Sequence, residues 1–404
     1  MDAKPGVREL IIVDDDPFQI KLLSTMLSAA GFSDVRGFVE GHKALNHMST
    51  QDMRDALLFL DLGMPEMDGI EFVRNLVEQD FHGSLVLVSG EEARILESAA
   101  RLALVHNLNV MGSIQKPVQR DTLATVLDQW SKKETAAPPK PRKTYGPDEV
   151  SRAISNNELT NFYQPKLRLH DGAFAGVETL VRWNHPDDGL VFPDQFIGVA
   201  EEHGLIESLT RAVLTQALRQ ASTWHKEGLK LTTAVNVSME NLSDLNFPNF
   251  VQSEMALHGI SSEALVLEVT ESRLMTNPKK SLDVLTRLRL KQINLSIDDF
   301  GTGHSSLAQL RDLPFNELKI DRSFVHGVRG NPGQRAIVEA NLTMARELGM
   351  SVVGEGVEDK DDWDYLRAHG CDYAQGYFMA KPMPAALIGD WRADWEKRRS
   401  ELAP

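Results

Sequence analysis

The chain holds one cysteine, Cys371, in 404 residues. That excludes an internal disulfide framework and makes a reducing cytoplasm the expected compartment. No apolar run approaches the roughly 18 residues that span a bilayer, so no membrane partner is expected. The opening stretch, Met1 to Arg8, is short, mixed and charged, and does not read as a signal peptide. Positive charge is also scarce. Lys and Arg number 43 against 58 Asp and Glu, a formal charge of −15. An acidic chain repels nucleic-acid phosphates unless a local basic patch intervenes. None stands out in the folded parts, and no residues remain after Pro404 for a DNA-binding module. No DNA partner is expected.

What is present suits a globular protein. Hydrophobic residues make up 42% and charged residues 25%, enough apolar material for a core in each of two domains. One segment separates them. Ser131 to Tyr145 reads SKKETAAPPKPRKTY, with Pro138, Pro139 and Pro141 and five basic residues against one acid, 5 − 1 = +4. Its prolines block regular structure and favour an extended spacer. Its charge reads as a solvated linker.

Before this segment, apolar runs alternate with helical patterns. Leu10–Val13, Leu57–Leu60 and Leu85–Val88 are continuous apolar runs, as in parallel strands covered on both faces. Phe18, Leu22, Met26 and Ala30 lie four apart on one helical face, closed by Gly31. The spacing predicts a doubly wound α/β domain. Asp14 and Asp15 follow Leu10–Val13, Asp61 follows Leu57–Leu60 and Ser89 follows Leu85–Val88, and Lys116 lies near the end of a weaker, later strand. In an open parallel sheet these positions converge at the carboxyl edge. Three carboxylates there require a cation, and Mg²⁺ suits them.

After the linker the alternation continues for about 250 residues, the usual size of a (β/α)8 barrel. Expected strands are Leu231–Val237, Leu265–Val269, Asn294–Ile297, Leu318–Ile320, Ser351–Val353 and Tyr373–Ala374, with helices over Ser281–Lys291 and Gln334–Leu348. Polar residues mark the strand ends: Glu178, Asn236, Glu268, Asp298, Asp299, Lys319, Glu355 and Gln375. Strand ends of this fold converge on one face. Five acids, two amides and a lysine in one cavity need divalent cations, and all-oxygen donors favour Mg²⁺ or Mn²⁺ over zinc. Asp298 and Asp299 are consecutive, so in a strand they point to opposite faces. Both serve one site only if the strand ends there, with Gly301 and Gly303 supplying the loop. One carboxylate can then bridge two ions about 3.5–4 Å apart, the arrangement suited to a phosphodiester.

Two resemblances follow from these residues. The order Asp14-Asp15, Asp61, Ser89, Lys116, with Met64-Pro65 and Met67-Asp68-Gly69 after Asp61, resembles a response-regulator receiver domain. It implies that Asp61 accepts a phosphoryl group from a histidine kinase or phosphotransfer protein. Asp14 and Asp15 would help hold one Mg²⁺, Ser89 would be the switch hydroxyl and Lys116 the phosphate-pairing lysine. Ser113 stands where that family usually has an aromatic switch residue.

The stretch from Asp298 to Leu307, followed by Leu318 to Phe324, resembles an EAL-type cyclic di-GMP phosphodiesterase domain. Tyr163-Gln164-Pro165, Glu268 to Ser272, Gly354 to Glu358 and Gln375-Gly376-Tyr377 support it. The resemblance implies hydrolysis of cyclic di-GMP to linear pGpG by a two-metal mechanism. Glu178, Asn236, Glu268 and Asp298 would bind one ion; Asp298, Asp299 and Glu355 the second. Lys319 would position or deprotonate the attacking water, with Glu355 the rival base. Gln375 would help hold that water. Gln164, Arg182 and Asp321 would contact substrate. Glu271 and Glu358 would anchor the loop after Asp299, and a homo-oligomer would form through this domain. Departures fall at Thr179, Asn241 and Gly354, none a metal ligand. The expected architecture is a doubly wound (βα)5 receiver domain at 8–131, a linker at 132–145, and a TIM-like (β/α)8 barrel at 146–400.

Overall fold

In a computed structural model the residues described are 9–106, 108–135, 143–270, 278–301 and 311–399. The chain divides into two compact units, Met1–Pro141 and Arg142–Pro404. Among the described residues no helix is long and apolar enough to cross a membrane.

The first unit is built on five parallel strands. These are β1 (Leu10–Val13), β2 (Val35–Phe38), β3 (Leu57–Asp61), β4 (Ser84–Ser89) and β5 (Asn109–Gln115), in the order β2-β1-β3-β4-β5. Alternation explains the continuous apolar runs. Ile11, Val13, Leu58, Leu60, Leu85 and Leu87 join one core; Leu10, Ile12, Leu57, Phe59, Val86 and Val88 join another. The helix Pro17–Ala29 starts where Asp16 accepts from the Phe18 amide at 2.9 Å. Its buried residues are Leu23 and Leu27, whereas Phe18 is 67% exposed. Two i, i+4 stripes run along this helix, and periodicity alone does not say which one meets the sheet.

The final helix of this unit, Arg120–Thr135, runs into the stretch read as linker. At the other end of that stretch, Tyr145 is buried in the second unit against Trp183, ring centroids 4.6 Å apart, and Lys143 pairs with Asp188 at 2.8 Å.

The second unit is a closed barrel. Its strands are β6 (Leu159–Arg168), β7 (Phe174–His185), β8 (Gly189–Val191), β9 (Thr232–Asn236), β10 (Leu265–Thr270), β11 (Asn294–Phe300), β12 (Glu317–Ile320), β13 (Ser351–Gly354), β14 (Tyr373–Ala374) and β15 (Met383–Pro384). β6 pairs with both β7 and β14 and so closes a ring of eight, with β8 and β15 added outside it. β7, β9, β10, β11, β12, β13 and β14 run parallel. β6 runs antiparallel to its neighbours. Residues 169–173 between β6 and β7 are too few for a helical crossover, so a hairpin is forced. The expected helices are present as Pro278–Leu290 and Pro332–Glu347. The second begins where Asn331 accepts from the Gly333 and Gln334 amides and is followed by Gly349 at φ +67°.

Candidate active site

The parallel strands deliver their polar residues to one end of the barrel. Asn236 is the last residue of β9, Glu268 lies near the end of β10, Lys319 near the end of β12, and Glu355 directly after β13. Glu178 is an exception, lying mid-strand because β7 continues to His185 and pairs with β8. β6 enters from the opposite direction and places Gln164 across from Glu178.

Lys319 is at the centre, 1% exposed. Its Nζ is 2.7 Å from Glu355, 3.1 Å from Glu268, 3.1 Å from Asp298 and 3.7 Å from Glu178. Burial alone would lower the lysine's pKa. Asp298, Glu178, Glu268 and Glu355 more than offset that and hold the ammonium well above its usual value. Burial drives Glu268 well above the usual carboxylate range, with Glu178 and Asp298 adding to the rise against the pull of Lys319. Glu355 is pushed up to about 8, by burial first and then by Asp298 and Glu178, while Lys319 opposes the shift.

The Asp298-Asp299 pair is arranged differently from the expectation of a strand that ends there. β11 continues to Phe300. Its register with β12 shifts between Ile297 and Phe300, and Asp299 adopts φ +55°. This left-handed residue in a bulge brings two adjacent carboxylates to one side. The Asp299 amide donates to Asp298 Oδ1 at 3.0 Å. Burial, with Asp298 and Asp321 nearby, raises Asp299 to about 6.

The residues fit divalent cations. Glu178, Glu268 and Asp298 each offer an oxygen within 4.8 Å of the others, as do Asp298, Asp299 and Glu355. Five carboxylates and one ammonium sum to 1 − 5 = −4 when ionised. Glu268 Oε2 is buried without a hydrogen-bond partner among the described residues, so its Lys319 contact is an ion pair lacking hydrogen-bond geometry. An orphaned carboxylate oxygen in an all-oxygen donor set suits Mg²⁺ or Mn²⁺.

The amides surround this cluster. Asn236 Nδ2 donates to Glu178 Oε1 at 3.1 Å, and Gln375 Nε2 donates to Gln164 Oε1 at 3.1 Å and contacts Glu178 Oε2. A cleft of about 250 Å³ opens above, lined by Gln164, Glu178, Asp298, Glu355, Glu358 and Gln375 among others. Arg182 lies apart from that lining. It is buried, its Nε has no partner among the described residues, and its guanidinium sits 5.5 Å from the Phe162 ring and 5.1 Å from the Phe192 ring. Asp321 caps the helix Arg322–Val325 by accepting from the Ser323 amide at 2.9 Å and lines a separate shallow hollow. Glu358 pairs with Arg322. Glu271 and Gly303 lie outside the described residues.

Sequence reasoning did not assign roles to Arg322 and Tyr377, which line the cleft. Their positions directly after Asp321 and two residues after Gln375 were the available signal.

The first unit has its own acidic pocket at the sheet's carboxyl edge. Asp14, Asp15 and Asp61 offer oxygens within 4.8 Å of one another. Lys116 Nζ is 2.7 Å from Asp14 and 3.2 Å from Asp61. Burial raises the Asp14 carboxyl, opposed by Lys116. Ser89 is buried and its Oγ accepts from the Glu91 amide at 3.1 Å. Ser113 is exposed on β5, beyond a register break that passes over Met111.

Comparison with known proteins gives two family matches: the EAL domain over residues 148–382 and the response regulator receiver domain over residues 10–128. The chain is 29% identical to the cyclic di-GMP phosphodiesterase RocR of Pseudomonas aeruginosa, covering 95% of this chain and 98% of RocR. It is 40% identical to the cyclic di-GMP phosphodiesterase NbdA of the same organism, over 60% of this chain and only 31% of NbdA. The solved structure of the PaMucR phosphodiesterase in complex with c-di-GMP is 38% identical, with a TM-score of 0.57, covering 60% of this chain and 98% of that one.

Proposed function

Because the chain belongs to the EAL-domain family and carries a receiver domain ahead of it, we propose that it hydrolyses cyclic di-GMP to linear pGpG. Phosphorylation of Asp61 by a histidine kinase or phosphotransfer protein, with Mg²⁺ held by Asp14 and Asp15, would regulate the reaction. The observation that carries this reading is the convergence of Glu178, Glu268, Asp298 and Glu355 on Lys319, with Asp299 turned beside them.

Glu178, Asn236, Glu268 and Asp298 would hold one divalent ion, and Asp298, Asp299 and Glu355 a second. When bound, the pair supplies charge neutralisation and water activation at the phosphodiester. Water adds to phosphorus and the P–O3′ bond breaks, leaving a 5′-phosphate and a 3′-hydroxyl. Glu355, 2.7 Å from Lys319 and part of the cleft lining, would be the group to accept the water's proton once bound ions hold it ionised. Lys319, within 3.7 Å of four carboxylates, would position that water. Gln375 and Gln164 orient groups at the cleft wall. Arg182 matches phosphate oxygens or guanine edges, and its aromatic flanks and unpartnered Nε suit that role. Asp321 would contact substrate from the hollow that it lines with Arg322, a residue shared with the cleft.

Purified protein with Mg²⁺ or Mn²⁺ and cyclic di-GMP tests the reading by chromatography of products, with and without a phosphoryl donor. Accumulation of pGpG is expected. Tight binding with no linear product over many hours would make the protein a sensor instead.

A further inference from the structure

Beyond the last residue matched to the EAL domain, the chain forms the helix Ile388–Arg399. This helix reaches the loop after β14. Three consecutive carbonyls of that loop accept hydrogen bonds from distant side chains. Arg398 Nη1 donates to Phe378 O at 2.9 Å, Trp391 Nε1 to Met379 O at 3.1 Å, and Gln164 Nε2 to Ala380 O at 3.0 Å. Two of the three donors come from one helix. Both are braced. The Trp391 ring stacks on Trp395 at 6.1 Å and meets Phe174 edge-on at 5.0 Å, and the Arg398 guanidinium sits 4.5 Å over the Phe378 ring.

The loop begins at the cleft, where Gln375, Gly376 and Tyr377 form part of the lining. Gln164 connects loop and site, because the same amide that donates to Ala380 O accepts from Gln375 Nε2 at 3.1 Å. On its other side the loop is tied to the segment carrying Glu355. The Val357 amide donates to Gln375 O at 3.1 Å and the Phe378 amide to Val357 O at 3.0 Å. That approach is close enough that a Cβ on Gly376 would lie 2.2 Å from Val357 O. A loop packed this tightly has few ways to shift without moving Gln375 and Tyr377 together.

We propose that Trp391 and Arg398 are positioning residues for the reaction. They hold loop 375–380 so that Gln375 and Tyr377 form a fixed wall against the nucleotide. The inference rests on the reading of cyclic di-GMP as substrate. It assigns part of that site to a helix outside the matched domain.

The test compares the full-length protein with Trp391→Phe, Arg398→Met and Arg398→Lys. Trp391→Phe keeps an aromatic ring, smaller than the indole, and removes the donor to Met379 O. Losing one such hydrogen bond predicts a rise in KM for cyclic di-GMP of about fivefold to tenfold, with kcat within about twofold. Arg398→Met gives a similar split, and Arg398→Lys, which keeps a cation and a donor, recovers most of it. Hydrogen exchange at the Phe378 to Ala380 amides should quicken in the first two variants. Unchanged exchange overturns the inference whatever the substrate. Quickened exchange with unchanged kinetics overturns it as well, as does a fall in kcat and melting temperature at constant KM. Failure of the wild-type protein to turn over or bind cyclic di-GMP removes the substrate reading, and the positioning role falls with it.

Discussion

Binding of divalent ions at the barrel mouth should expel protons from the carboxyls that burial holds above their usual range. Glu355 is raised to about 8 and Asp299 to about 6. With Asp298 they form one of the two oxygen groups suited to an ion. A ligating carboxylate must be ionised, so proton and metal compete. At pH 7 a carboxyl with a pKa of about 8 is about nine-tenths protonated. Between pH 8 and pH 6 the Glu355 proton alone should weaken ion binding at that group by about tenfold per pH unit, roughly 1.4 kcal/mol. Below about pH 6 the Asp299 proton joins, and the slope steepens toward about a hundredfold per unit. Glu268, raised well above its usual range, adds a proton released at the other group. The assay is calorimetric titration of the metal-free protein with MnCl₂, in buffers of contrasting ionisation enthalpy, across this pH range. An affinity that stays flat and a heat independent of the buffer would refute the argument.

The same shifts set the stability of the metal-free barrel, with a sign that needs care. A carboxyl whose folded pKa exceeds its unfolded value stabilises the fold below the unfolded pKa. That contribution is lost as pH rises through the folded value. For Glu355 the window runs from 4.5 to about 8, and for Asp299 from 3.8 to about 6. Without metal, the barrel should therefore melt at a lower temperature near pH 8 than near pH 5. Mn²⁺ should restore most of the difference.

Three substitutions and one comparison test the remaining assignments. Asp298→Asn should reduce pGpG formation by at least about a thousandfold with the circular dichroism spectrum unchanged, since it belongs to both oxygen groups; retained turnover would remove the metal assignment. Lys319→Met should destabilise the protein in EDTA by about 3–5 kcal/mol, because four carboxylates lose their shared cation. A thermal melt reads this as a drop on the order of 10 °C. Asp61→Asn should abolish phosphoryl uptake, followed by phosphate-affinity electrophoresis, and leave turnover of the unphosphorylated protein within about twofold. Asp299→Gly and Asp299→Ala should be equally inactive, yet the glycine variant should be about 1 kcal/mol more stable, because φ is +55° there. Equal melting points would mean that the backbone relaxes.

How much of this was legible in the sequence depended on where each signal lay. Continuous apolar runs marked β1, β3 and β4 because parallel strands buried on both faces carry no alternation. Polar residues just after or near the ends of such runs then located both acidic clusters. β6 and β7 were less visible. Pro165 lies inside β6, where proline argues against a strand, and β7 extends well past Glu178 toward β8. The reversal of β6 hides the geometry further, since Gln164 reaches the site from mid-strand rather than from a strand end. The helix Pro17–Ala29 was recognised by period, but the choice between the Phe18/Leu22 stripe and the Leu23/Leu27 stripe needed the sheet beneath it. Lys319 between Leu318 and Ile320 reads as an interruption of an apolar strand. Its place near a strand end puts it in one cavity with the acids, and the fold adds that its Nζ lies within 3.7 Å of four carboxylates.

The adjacent acids show where spacing arguments stop. Alternation along a strand sends neighbouring side chains to opposite faces, so spacing alone lets two consecutive ligands share a site only where the strand ends. A single residue offers another solution. With Asp299 in the left-handed region the register to β12 slips, the strand resumes at Phe300, and both carboxylates remain at the mouth. Aspartate tolerates that conformation better than most side chains, and such strain is of order 1–3 kcal/mol where the surroundings impose it. The same turn half-buries Asp299 beside Asp298 and Asp321, which is why its carboxyl rises to about 6. The backbone kink that makes the pair usable is thus also the source of its proton affinity, and both consequences follow from a conformation that residue spacing does not encode.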